Sequence, residues 1–153
     1  MEELDVFAWR VAKYYEKDIP CRLSSKEKPA VVALLGPSNL EYLVTLLALS
    51  KLGHTVLLLS TRIPQPAVEN LLNRTEGTVL VYESRFSELA SRVQGSMSVR
   101  LLELAGRPVF EFPVEMRGDT RLDYNLDPEI EKDNISFIIH SSGTFSEWLG
   151  PAF

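Results

Sequence analysis

The chain has 153 residues, 45% apolar and 24% charged, which is the composition of a globular domain and not of a disordered segment. A chain of this length buries about 68–70% of its unfolded surface, enough for one hydrophobic core. Sixteen basic against 21 acidic residues give a net charge of −5, so the chain lacks the basic surface that nucleic-acid binding requires. The single cysteine, Cys21, excludes an intrachain disulfide and a cysteine-based zinc cluster and suits a reducing compartment, so we expect a cytoplasmic location.

Neither the N-terminus nor the most apolar segment of the chain predicts membrane targeting. Residues 1–17 are charged and have helical periodicity, which predicts an amphipathic helix and not a signal peptide. The segment Leu40–Leu59 is interrupted by charged residues and by Gly53, so it is not a membrane span. We therefore expect no membrane among the partners. The apolar face predicted for the first helix comprises Leu4, Phe7, Val11 and Tyr14 or Tyr15.

Short apolar runs alternate with helical segments between residues 30 and 104. This alternation, with strand–helix–strand spacing, implies right-handed crossovers and a mainly parallel sheet. We therefore predict an α/β fold, a partial doubly wound sheet flanked by helices. The predicted strands are Ala30–Leu35, His54–Ser60, Thr78–Tyr82 and a weaker one at Ser98–Leu104, and the predicted helices between them are Asn39–Leu52, Pro66–Asn73 and Arg85–Gln94.

Local signals predict where these helices begin and end. Ser38 and Glu41 have the spacing of a capping box, in which each side chain satisfies a backbone donor of the first turn. Gly53 is placed to end the same helix in a left-handed conformation. Ser84 and Gly95 are the corresponding signals for the third helix. The residues Gly36 to Asn39 follow a strand, where α/β sheets often bind ligands, but we interpret them as a helix entry.

The last apolar run leads directly into a hydroxyl-rich loop. Residues 105–134 predict an irregular excursion over the surface, and Ile135–Ile139 then predicts a buried strand. It is followed by His140, Ser141, Ser142, Gly143 and Thr144. Glycine lets a backbone approach phosphate closely while N–H groups and hydroxyls donate to its oxygens, although a tight turn would show the same pattern. For His140, contact with a ligand and a hydrogen bond to the backbone at the end of the strand both remain open.

Two stretches carry a resemblance to a known family: VVALLGPSNLEYLVTLLALSKLGHTVLLLSTR, from Val31 to Arg62, and ISFIIHSSGT, from Ile135 to Thr144. They resemble the adenylate-forming enzymes, which activate carboxylates as acyl-AMP, and in particular the adenylation domains of fungal reductases similar to non-ribosomal peptide synthetases of secondary metabolism. The first stretch is similar to the opening strand–helix–strand of that domain, and the second to the start of its phosphate-binding loop. The resemblance implies a partial adenylation domain over residues 1–144 and ATP or AMP with Mg²⁺ as cofactors. It implies nucleotide binding by His140, Ser141, Ser142, Gly143 and Thr144.

The sequence departs from the family pattern after Thr144. The family's loop continues with a hydroxyl, a glycine and a proline–lysine pair, whereas residues 145–153 read FSEWLGPAF, a divergent tail. The loop lysine is absent, and Glu147 brings a negative charge. The family's magnesium-binding acid, its adenine and acyl pockets and its mobile lid have no counterpart here, so the resemblance assigns no catalytic or metal-binding residue.

Three functions remain open for such a chain. It could retain adenylation activity, act as a non-catalytic interaction protein or split-enzyme subunit, or be an inactive remnant of a disrupted gene. We favour a truncated adenylation-domain protein that is inactive alone, and whether it is an enzyme stays open. As an alternative we expect a protein partner or self-association through uncovered apolar surface.

His54 and Cys21 have no neighbouring ligand or base in the sequence, so we interpret them as a structural histidine and an ordinary thiol.

Overall fold

The computed structural model describes residues 2–113 and 126–140. The chain divides into two compact units. The helical unit comprises residues 1–29, 38–54 and 104–134, and the sheet unit comprises residues 30–37, 55–103 and 135–153. In the described parts, no helix is both long enough and apolar enough to cross a membrane.

Helices and strands alternate along the chain as the apolar runs predict. The strands are β1 (Val31–Leu35), β2 (Thr55–Leu59), β3 (Val79–Tyr82), β4 (Arg100–Glu103) and β5 (Phe137–Ile139). The helices are α1 (Glu2–Tyr15), α2 (Leu40–Lys51), α3 (Gln65–Thr75), α4 (Ser87–Ser96), α5 (Arg107–Phe110) and α6 (Pro128–Glu131), with a 3₁₀ turn at Ser84–Phe86.

The five strands form one parallel sheet in the order β4-β3-β1-β2-β5. The register places Ala33 between Leu57 and Leu80, and Leu57 in turn beside Ile138. All four pairings are parallel, which confirms the predicted α/β class and the mainly parallel sheet.

Apolar side chains from alternate strand positions and from α3 and α4 form the core of the sheet unit. Removing one such side chain from water stabilises the fold by about 1.5–3 kcal/mol. This burial explains why short runs of branched residues form strands here. The cluster contains Ala33, Leu35, Leu57, Leu59, Ile63, Val68, Leu71, Leu72, Leu80, Ala90, Val93, Val99 and Ile138.

In the helical unit, α1 packs against α2 and α5 through a face that differs slightly from the predicted one. Its buried residues include Ala8, Val11 and Tyr15, whereas Tyr14 is 44% exposed. The Tyr15 hydroxyl accepts a hydrogen bond from the backbone N–H of Ala105 at 2.8 Å. The prediction is therefore correct for Val11, and of the two tyrosines that it left open the structure buries Tyr15.

The helix ends follow the predictions only in part. The N-cap of α2 is Asn39, whose side chain accepts from the Tyr42 N–H at 3.0 Å, so the capping box at Ser38 is wrong by one residue. Gly53 has φ +85° and ends α2 in the left-handed conformation as predicted. At the third helix, Glu83 caps the 3₁₀ turn in place of Ser84, and α4 runs through Gly95 to Ser96. Glycine weakens a helix by about 1 kcal/mol without ending it.

Residues 105–113 are more ordered, and β5 is more exposed, than predicted. Phe110 in α5 is fully buried, so residues 105–113 are not merely a surface excursion. β5 has only three residues and lies at the sheet edge. Within it, Ile138 is 6% exposed, whereas Phe137 and Ile139 are 44% and 74% exposed. The prediction of a strand buried on both faces is therefore wrong for the alternate residues.

Candidate functional site

The carboxyl ends of four parallel strands lie side by side in the sheet unit. They lead into Gly36 after β1, Ser60 after β2, Glu83 after β3 and His140 after β5. Open α/β sheets bind ligands at this edge, because the loops and backbone N–H groups that follow the strands converge there. This edge is therefore the candidate site.

His140 is fixed at this edge by the neighbouring strand. The backbone N–H of Ser60 donates a hydrogen bond to Nε2 of His140 at 3.0 Å, and the ring is half-buried. The ring is therefore bonded to backbone at the end of the strand, as one of the two alternatives holds, and contact of His140 with a ligand stays a prediction. Sequence reasoning missed Ser60, because its contribution is a backbone N–H. The only signal was its place at the end of a buried run.

Ser60 is itself held in a turn at the end of β2. Its carbonyl oxygen accepts from the Ile63 N–H at 3.1 Å, and its Oγ accepts from the Arg62 N–H at 3.2 Å. Ile63 belongs to the core cluster and is 8% exposed. The group that orients His140 is thus tied to the hydrophobic core of the sheet unit.

The other end of β5 is attached to β2 in the same way. Thr55 Oγ1 donates to the Ile135 carbonyl oxygen at 2.5 Å, and the Val56 N–H donates to the Ser136 carbonyl oxygen at 2.9 Å. A three-residue edge strand makes few ladder hydrogen bonds, so these added contacts fix its register.

Glu83 is at the same edge but is engaged locally. Its carboxylate accepts from Nε of Arg85 at 2.9 Å, and this hydrogen bond is the main reason that the pKa of Glu83 is lowered. Its N–H donates to the Leu35 carbonyl oxygen at 2.9 Å, which joins the ends of β3 and β1. Asn39 caps α2, so the interpretation of Gly36 to Asn39 as a helix entry is confirmed.

The remaining predicted site residues lie outside the described part of the chain. These are Ser141, Ser142, Gly143 and Thr144, and their assignment stays a prediction. Across residues 2–113 and 126–140, no group of three or more His, Cys, Asp or Glu side chains could hold a metal ion.

In the helical unit, the structural interpretation of His54 and Cys21 agrees with the geometry. His54 Nε2 is 2.7 Å from the Pro20 carbonyl oxygen, and burial lowers the pKa of the ring. Cys21 is buried, and desolvation raises the pKa of its thiol, which disfavours the reactive thiolate.

The most strongly shifted acid in the helical unit belongs to an ion pair that the sequence did not reveal. Arg22 is 2% exposed and binds both carboxylate oxygens of Glu131, at 2.9 and 3.0 Å. The same guanidinium donates to the carbonyl oxygens of Glu27 and Gly53 at 2.8 and 2.9 Å. The hydrogen bond from Arg22 is the largest of the contacts that lower the pKa of Glu131 to about 2. Four of the five N–H donors of Arg22 are thus used in contacts within the helical unit, which indicates a structural role.

Comparison with known proteins adds a family and a fold. The model of a family described as AMP-binding enzyme matches residues 23–146. The chain is 29% identical over 147 residues to the adenylate-forming reductase stbB of Stachybotrys bisbyi. The matched region covers 93% of this chain and 14% of the reductase.

Two solved structures that superpose on this chain have the same fold. A fatty acyl CoA synthetase of Mycobacterium tuberculosis superposes with a TM-score of 0.63 at 17% identity, over 92% of this chain and 26% of the synthetase. The ATP-bound MatB of Rhodopseudomonas palustris superposes with a TM-score of 0.55 at 19% identity, over 66% of this chain and 19% of MatB. The chain thus spans about a quarter or less of the length of each of these proteins.

Proposed function

We propose, given that the chain belongs to the family of AMP-binding enzymes, that its 153 residues form the first α/β part of an acyl-adenylate-forming domain. In this proposal, His140 and the loop Ser141–Thr144 hold the phosphates of an adenine nucleotide at the carboxyl edge of the sheet. The observation that carries the proposal is the half-buried His140, fixed by the Ser60 N–H directly before the loop. The fold of the ATP-bound relative supports it.

The same proposal holds that these 153 residues do not form acyl adenylates by themselves. Adenylation depends on groups that position the reactants and on fixed charge around the phosphates. After Thr144 the sequence has Phe145, Ser146 and Glu147 where the family has the residues leading to its loop lysine. A carboxylate close to a triphosphate opposes its binding, by about 4 kcal/mol for two unit charges 4 Å apart at a surface-like dielectric.

Nucleotide binding and catalysis are tested separately on the full chain. Titration of ¹⁵N-labelled protein with ATP and MgCl₂ should shift the amide signals of residues 140–144. Gly143→Val should abolish these shifts, because a side chain blocks the approach of phosphate to the backbone. Gly95→Ala is the matched control, since the space around Gly95 is open. ATP shifts that persist in Gly143→Val, or that are absent from residues 140–144 of the wild type, would contradict the proposed site.

Catalysis is measured as exchange of pyrophosphate into ATP with a panel of aryl and aliphatic acids. We expect no acid-dependent exchange above heat-inactivated protein. Clear exchange with any acid would show that the chain retains the family's activity, and the second half of the proposal would then be wrong.

A second candidate, an interaction protein or split-enzyme subunit, is favoured by the surface at β5. Within the described residues, β5 pairs with β2 alone, and Phe137 and Ile139 expose apolar side chains on one face. Unpaired apolar edges tend to associate with other chains. Ile139→Lys should reduce self-association measured by light scattering, whereas Leu23→Lys, at an exposed apolar residue of the helical unit, should not. A monomeric wild-type chain would contradict self-association.

A further inference from the structure

The two histidines of the chain are held through the same ring nitrogen but in opposite roles. Nε2 of His140 lies 3.0 Å from the backbone N–H of Ser60, which can only donate. Nε2 of His54 lies 2.7 Å from the carbonyl oxygen of Pro20, which can only accept. When both rings are neutral, His140 therefore carries its proton on Nδ1, and His54 carries its proton on Nε2.

We propose that Ser60 is a positioning residue whose backbone N–H fixes His140 in the Nδ1–H tautomer. His140 then presents a hydrogen-bond donor, and not an acceptor, at the carboxyl edge of the sheet. This inference rests on the proposed function for the identity of the ligand. With an adenine nucleotide as the ligand, the Nδ1–H group of His140 donates to an anionic phosphate oxygen.

The residues that follow Ser60 hold its backbone N–H in a fixed position. Its carbonyl oxygen and Oγ are bonded to the N–H groups of Ile63 and Arg62, so the peptide that carries the donor is fixed. If His140 carried its proton on Nε2, two N–H groups would face each other and the Ser60 amide would lose its acceptor. Such an unsatisfied donor disfavours the Nε2–H tautomer by about tenfold or more.

Nδ1 of His140 remains the nitrogen that can act on a ligand. In residues 2–113 and 126–140, the structure shows no hydrogen-bond partner for it. A neutral histidine held in this way is a donor of fixed direction. It recognises an oxygen with free lone pairs, which a phosphate or carboxylate supplies and an ammonium group does not.

The tautomers can be read directly without any ligand. Long-range ¹H–¹⁵N correlation spectra of the full chain, recorded about 1.5 pH units above the ordinary histidine pKa of about 6.5, distinguish protonated from unprotonated ring nitrogens. We expect the Nδ1–H pattern for His140 and the Nε2–H pattern for His54, with His54→Gln to assign the signals. An Nε2–H pattern for His140 would overturn the inference.

Variants at residue 60 separate the backbone donor from the side chain. Ser60→Ala keeps the N–H and should leave the His140 pattern unchanged, whereas Ser60→Pro removes the donor and should shift His140 toward the Nε2–H pattern. Amide spectra show whether Ser60→Pro still folds. If it does not, the wild-type and Ser60→Ala spectra decide the tautomer.

Addition of ATP with MgCl₂ tests the donor role. We expect the His140 Nδ1–H signal to shift and that of the His54 ring to stay. His140→Phe should weaken ATP binding about tenfold, and His140→Asn, which keeps an amide donor near the Nδ1 position, should restore most of it. Shifts of the loop amides without a shift of the His140 ring would overturn the donor role and leave the proposed function standing. No ATP-dependent shift at all would count against both, while the tautomer would already be decided.

Discussion

The Arg22–Glu131 ion pair gives a quantitative prediction for stability. The pKa of Glu131 is lowered from 4.5 to about 2, mainly by the hydrogen bonds from Arg22 and further by those from Asn134 and Ser25, which together correspond to about 3 kcal/mol at about 1.36 kcal/mol per pH unit. The Glu131 side chain is 23% exposed, and solvent screens part of this energy, so we expect about 2 kcal/mol. Glu131→Gln should therefore lower the free energy of unfolding by about 2 kcal/mol at neutral pH.

Urea denaturation measures this effect. A loss of about 2 kcal/mol lowers the midpoint by about 1 M for an m-value of about 2 kcal/mol/M. A Trp148→Phe background leaves Trp9 of α1 as the single fluorescent reporter in the helical unit. Glu129→Gln is the matched control, because Glu129 lies on the same short helix in an exposed pair with Lys132 at 2.6 Å. Exposed pairs contribute about 0–1 kcal/mol.

The pH dependence has a definite sign. Since the folded-state pKa of Glu131 is lowered, the pair stabilises the fold fully above pH 4.5, and the contribution is lost as the pH falls toward about 2. The difference between wild type and Glu131→Gln should shrink over that interval. If Glu131→Gln costs no more than Glu129→Gln, or if its cost does not change between these pH values, the buried arginine does not depend on its carboxylate partner.

Three further predictions concern single groups and are read as changes in the free energy of unfolding. Tyr15→Phe removes the acceptor of a buried backbone N–H and should cost about 1–3 kcal/mol, whereas Tyr14→Phe, at an exposed ring, should cost almost nothing. Gly53→Ala places a side chain at φ +85° and should destabilise by about 1 kcal/mol, whereas Gly95→Ala inside α4 should stabilise by about 0.5–1 kcal/mol. Thr55→Val removes the hydroxyl bonded to the start of β5 and should cost about 1 kcal/mol and speed amide exchange in that strand. If Tyr14→Phe cost more than Tyr15→Phe, or Gly95→Ala more than Gly53→Ala, the corresponding interpretation would be wrong. Unchanged amide exchange in β5 of Thr55→Val would contradict the Thr55 contact.

The sequence predicts the sheet well because nearly every residue of its central strands is buried. Val31–Leu35 is apolar throughout, and Thr55–Leu59 is apolar after its first residue, as expected for central strands of a parallel sheet. The same argument fails for β5, because apolar composition does not reveal how many neighbours a strand has. The cap of α2 was misplaced because Ser38 and Asn39 are both good N-cap residues, and their propensities alone do not choose between them.

The candidate site shows the limit of sequence reasoning more clearly. His140 is recognisable, because a histidine between a strand and a hydroxyl-rich loop stands out in the sequence. Its partner is a backbone N–H 80 residues earlier, which every residue except proline could supply. Arg22 and Glu131 are 109 residues apart, and nothing local to either predicts the pair. Contacts of this kind follow from topology and not from periodicity.

The position of β5 links the two candidate functions. The loop proposed to bind phosphate follows an edge strand that, among the described residues, has one neighbour and is attached to it by Thr55 and Ser60. A chain that pairs with the edge of β5 opposite β2 would restrict the backbone that leads into the proposed nucleotide-binding loop. Two ligands that stabilise one conformation favour each other's binding, and the coupling is reciprocal. An interaction at Phe137 and Ile139 would therefore strengthen nucleotide binding at His140, and bound nucleotide would strengthen that interaction by the same factor.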